Sequence, residues 1–106
     1  MLRILDTIIT FITAVSPLVD QIARHDPALA KQLRDALNSV ALNVAEGSGV
    51  RGARRTNHYA IALGSARESL VALRAAGAWG YIGPLPHPIA DAMDKIIATL
   101  FKNVRR

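Results

Sequence analysis

The sequence predicts an all-α fold, an up-down-up-down antiparallel four-helix bundle, and three observations carry that expectation. Apolar residues recur at alternating three- and four-residue steps along four separate segments, the period of a helix and not of a strand. Residues that start and stop helices fall mostly between those segments. The apolar share, 51% of the chain with aromatics at only 5%, is the profile of a helical protein. At 106 residues the chain reads as one domain, 1–106, large enough for a single core without staples. Short connections make sequential helices antiparallel neighbours.

The first helix is expected over residues 2–24. Leu5, Ile8, Ile12, Val15, Val19 and Ile22 line one face, and Ile4, Phe11 and Leu18 form a second stripe beside it. So wide an apolar face predicts more than one neighbour. Pro17 removes a backbone donor inside this pattern, so a kink is expected near residues 13–16. Asp26-Pro27 opens the second helix, 27–46, as N-cap and first helical residue. Its core face is Leu29, Leu33, Ala36 or Leu37, Val40 and Val44, and Gly47 is expected to end it.

The third helix is expected over 54–79, with Tyr59, Leu63, Ala66, Leu70, Leu73 and Gly77 in one stripe. Gly80, Gly83, Pro84, Pro86 and Pro88 make the clearest breaker-rich loop. The fourth helix, 88–104, starts at Pro88, with Asp91 and Asp94 near its positive end. Ile89, Met93, Ile96, Leu100 and Val104 face inward.

The chain has no Cys, which removes disulfides and thiolate metal sites and makes a reducing cytoplasm the simplest home. Thirteen Lys and Arg against eight Asp and Glu give +5, with a pI near 10.5. That balance favours contact with polyanions, chiefly nucleic acid. Residues 2–15 are apolar, but Asp6, Thr7, Thr10 and Thr13 interrupt them, so a soluble helix is expected rather than a leader or a membrane span.

A stripe of small residues, Ala62, Ser65, Ser69, Ala72 and Ala76, also repeats at helical steps on the third helix. Small side chains let another backbone approach closely, either within the bundle or from a second subunit. The broad apolar face of the first helix favours self-association. Ile4, Phe11, Leu18, Ala62, Ser65, Ser69 and Ala72 are therefore the candidate oligomer interface.

Ser39, Asn43 and Glu46 share one face of the second helix. A carboxylate in a last turn opposes the helix dipole. Either Glu46 is a binding or catalytic group, or it accepts hydrogen bonds from the start of the third helix and pairs with Arg51, Arg54 or Arg55. The second reading is favoured, because a lone carboxylate without partners runs no named acid–base chemistry. Asn43 is expected to be a buried amide that fixes helix register.

Arg51, Arg54 and Arg55, with His58, cluster at one end of the bundle. The fourth helix ends at the same end in this topology, so Lys102, Arg105 and Arg106 are expected to join them. These six cations are the candidate nucleic-acid-binding residues, holding phosphates without sequence readout. The competing reading is ordinary solubilising charge. Phe11, Tyr59, Trp79, Tyr81 and Phe101 read as structural, so no stacking platform is expected. His25, His58 and His87 share no helical face, which argues against a metal site. Gly47-Ser48-Gly49 lacks the Lys-Ser/Thr continuation of a phosphate loop, and its glycines read as a left-handed turn out of a helix. No cofactor, small-molecule substrate or catalytic residue is expected.

Gln32-Leu33-Arg34, Ser39, Asn43-Val44-Ala45-Glu46-Gly47-Ser48-Gly49, Ile61-Ala62-Leu63-Gly64-Ser65, Glu68 and Gly80-Tyr81-Ile82 follow one another in order. In these blocks the chain resembles the four-helix-bundle family of proteins encoded in intervening sequences of bacterial 23S ribosomal RNA. It is similar, more distantly, to the accessory variability proteins of diversity-generating retroelements. The resemblance spans residues 27–82 and extends to the outer helices by pattern; it departs at Asp35, Val50, Ala66 and Ser69. It implies a four-helix protomer, a homopentameric ring, a basic surface and no catalysis. In the retroelement branch it implies binding to a reverse transcriptase and to nucleic acid. Ser39, Asn43, Glu46, Gly47, Gly49 and Gly64 belong to its structural motif. The function expected is a non-enzymatic, oligomeric, nucleic-acid-binding accessory protein. The alternative is a purely structural or protein-interaction oligomer.

Overall fold

Four helices form where the apolar period runs: α1 (Leu2–His25), α2 (Pro27–Ser48), α3 (Gly52–Ala78) and α4 (His87–Val104). The structure, a computed structural model, describes residues 2–105, among which there is no strand. α2 packs on α1 and α3, and α4 packs on α3 and α1, so the chain circles a four-helix bundle of 42 × 25 × 20 Å. Every boundary lies within two residues of expectation.

The α1–α2 corner is a single residue. Asp26 caps α2 by accepting the Leu29 N–H at 3.0 Å, and Pro27 follows at the first helical position. Such a cap contributes about 1 kcal/mol. α1 runs through Pro17 without a break. By length and composition alone α1 could cross a membrane; here its face of Ile4, Ile8, Phe11, Val15, Val19 and Ile22 is built into the core.

That burial corrects the expected interface. Ile4 and Phe11 are core residues, because α1 has two neighbours and spends its wide face on α2 and α4. Leu5, Ile12 and Leu18 are half-buried beside them. Ala62, Ser69 and Ala72 are buried within the protomer as well, and Ser65 is half-buried. The small stripe of α3 is therefore mostly internal packing.

The glycines of the α2–α3 turn also act differently from expectation. Gly47 lies inside α2 and is buried. A Cβ there would stand 2.5 Å from Cε1 of Tyr59, so Gly47 serves a close approach of α3. Gly49 caps α2 at an ordinary φ of −94°. The left-handed residues are instead Gly52 (φ 61°), at the start of α3, and Gly80 (φ 79°), past its end.

Candidate nucleic-acid interface

Close approach of α2 and α3 lets short polar side chains bond across the seam. Ser65 Oγ donates to Ser39 Oγ at 2.8 Å. Asn43 Nδ2 donates to the Ser39 carbonyl at 2.9 Å and lies 3.2 Å from its hydroxyl. Asn43 Oδ1 is then the acceptor for His58 Nδ1 at 3.0 Å, which places the ring proton on Nδ1. Ser48 and Tyr59 hydroxyls meet at 3.4 Å further down. The shared face of Ser39, Asn43 and Glu46 is thus a cross-helix ladder, with Asn43 half-buried rather than buried.

Glu46 departs from expectation. Its side chain is 67% exposed, and Oε2 lies 3.6 Å from His58 Nδ1, with no arginine paired to it among the described residues. Arg55 serves the end of α2 and the turn after it: its Nε donates to Gly47 O at 3.2 Å and Val50 O at 2.8 Å. A cation is the natural partner for a helix C-terminus. The sequence pattern showed that charges gather at this turn; which charge meets which depends on how the two helices are phased.

Arg51, Arg54 and Arg55 are all exposed, and none forms an ion pair among the described residues. They sit on the N-terminus of α3, which has no side-chain cap and no acidic residue in its first turn. Cations at a positive helix end repel its dipole. Free N–H groups and guanidinium groups at one place both favour an anion.

Of the six cations expected at one pole, the five that are described fall into two groups. Arg105 turns onto Phe101, 5.8 Å from the ring centroid, and Arg67 approaches the same ring at 5.9 Å. Arg67 is about 18 Å further along α3 than Arg55. Lys102 is exposed in the last turn of α4, and Arg106 lies outside the described residues. Gly64 is exposed with nothing near its missing Cβ.

The aromatic residues correct a second expectation. Phe11 and Tyr59 are buried, but Trp79 is 72% exposed. Tyr81 stacks against Trp79 at 6.4 Å and 16°, and against His25 at 5.3 Å and 5°. Desolvation first, then the Asp26 carboxylate and its hydrogen bond, raise the Tyr81 phenol above its usual pKa. The three rings come from the end of α1 and the loop after α3, so their meeting has no signature in spacing. The one hint was a Trp placed beside a helix-ending Gly.

No family profile and no curated protein matches the sequence. In three dimensions the chain is similar to the crystal structure of a protein of unknown function from the S23 ribosomal protein family of Bacteroides thetaiotaomicron. The TM-score is 0.84 at 20% identity, over 97% of this chain and 99% of that one. The two share the four-helix fold.

Proposed function

We propose that this protein is a non-enzymatic accessory protein of the 23S rRNA intervening-sequence type, which binds RNA or DNA through phosphates without reading sequence. The observation that carries this reading is the group of exposed Arg51, Arg54 and Arg55, without ion pairs among the described residues, on the uncapped N-terminus of α3. Lys102 and Arg105, both exposed at the end of α4, add a second cationic group. Fluorescence anisotropy with labelled RNA and DNA across a salt series tests it. Arg55 also holds the turn, so the clean variant is Arg51→Ala with Arg54→Ala. Each lost phosphate contact should lower the slope of log affinity against log salt by about one. Negligible binding at low salt would discard the nucleic-acid role.

A second observation supports self-assembly and the competing interaction-scaffold reading. Leu42 is 63% exposed and Val71 62%, with Ile61 also exposed. Leu42 and Ile61 flank the Asn43–His58 bridge, and Ile61, Gly64 and Val71 share one face of α3 by helical spacing. Gly64 gains nothing inside the protomer, yet a helix-interior glycine costs about 1 kcal/mol relative to Ala. A second copy approaching this outer α2–α3 face supplies the reason. The resemblance supports a ring of five for this assembly and, through its more distant retroelement branch, a reverse transcriptase as a protein partner. Light scattering should then give five times 11.4 kDa, and Leu42→Asp with Ile61→Asp should reduce it. A monomer for the unaltered chain would remove the ring.

A further inference from the structure

We propose that Trp79, at the outer end of the His25–Tyr81–Trp79 tier, is a stacking site for one unpaired base of a single-stranded nucleic acid. The inference rests on the nucleic-acid reading above and adds a second kind of contact at the other end of α3. That end is about 40 Å from Arg51 along a helix of 27 residues.

The tier is held by backbone, not by a loose loop. Tyr81 N–H bonds to Ala76 O at 2.9 Å and Gly80 N–H to Gly77 O at 3.0 Å, with Gly80 in the left-handed region. This is the Schellman turn that closes a helix, and only the residue at Gly80 needs a positive φ. Trp79, just before that glycine, donates its own N–H to Ala75 O at 2.9 Å. The Trp and Tyr backbones are therefore fixed, and His25 backs the Tyr ring from the last turn of α1.

Three nearly parallel rings, with the largest one mostly in water, form a prebuilt π surface. A base stacks on such a surface whatever its identity. The surrounding charge suits a phosphate chain better than a neutral partner. Arg24 precedes His25 at the end of α1, and Arg74 lies toward the end of α3; both are exposed and free of ion pairs among the described residues. Asp26 caps α2 and its carboxylate also acts on the Tyr81 phenol, the middle ring of the tier, while Trp79 stands at the exposed end.

Trp79 is the one Trp in the chain, so its emission reports this site alone. Ten-nucleotide oligo-dT should quench it saturably, while polyphosphate, which carries charge without bases, should bind without quenching. Trp79→Ala should weaken oligo-dT about fivefold or more and leave polyphosphate affinity unchanged. Trp79→Phe should recover part of the loss. Oligo-dT that binds by anisotropy, yet neither quenches Trp79 nor loses affinity in Trp79→Ala, overturns the stacking site and leaves the basic turn standing. Failure of oligo-dT to bind at low salt overturns both. If Trp79→Ala dissociates the assembly while oligo-dT affinity is unchanged, the tier is a subunit contact and the proposal falls.

Discussion

Between α2 and α3 the helices approach closely at Gly47, beside the Tyr59 ring, with Ser39, Asn43, His58 and Ser65 bonded across the seam. Where α1 meets α4, the two helices bring Ile4, Ile8, Phe11, Ile89, Met93 and Ile96 to the core, with no hydrogen bond between their side chains among the described residues. The first contact depends on short side chains that let backbones approach and on directional bonds that work at one register. The second depends on apolar bulk, which is non-directional and tolerates small shifts. The α1–α4 contact therefore rests on bulk, and the α2–α3 seam specifies how its helices are phased.

Phe11→Ala should produce the largest effect, a loss of about 3–5 kcal/mol in denaturant unfolding. A loss below that of any seam variant would invert the comparison. Gly47→Ala should follow, at about 1–3 kcal/mol, because the new methyl meets the Tyr59 ring and overpacks the contact. Combining it with Tyr59→Leu should return part of the loss; a neutral Gly47→Ala would show that close approach is not what the glycine serves.

Asn43→Leu should cost about 1–2 kcal/mol by leaving His58 Nδ1 without its hydrogen-bond partner. A double-mutant cycle with His58 should show coupling, and additivity would mean that the bridge does not set register. Smallest of all, Glu46→Gln should change stability by less than about 0.5 kcal/mol, since the carboxylate is mostly in water and its His58 contact is loose. A larger loss would place Glu46 inside the ladder rather than at its rim.

Much of this architecture was legible in the chain. Apolar steps located all four helices, Asp26-Pro27 marked the α2 start, and the spacing of Ser39, Asn43 and Glu46 put them on one face. The candidate site was only partly legible. His58 joined the Asn43 bridge although it read as one cation among several, and Trp79 and Tyr81 formed a tier with His25 although they read as structural. Ile4, Phe11 and the Ala62–Ser69 stripe read as interface because a lone helix does not show how many neighbours it has.

By itself the sequence determined what depends on residues within one or two turns of each other: helix period, the Asp26 cap, and the presence of glycines at the turns. Only the tertiary structure decided that Gly47 makes room for Tyr59, that Arg55 rather than Glu46 ties the α2–α3 turn, and that the cations form two groups. Those outcomes depend on the phase and overlap of packed helices. A shift of one residue turns a side chain by about 100°, enough to exchange a buried partner for water.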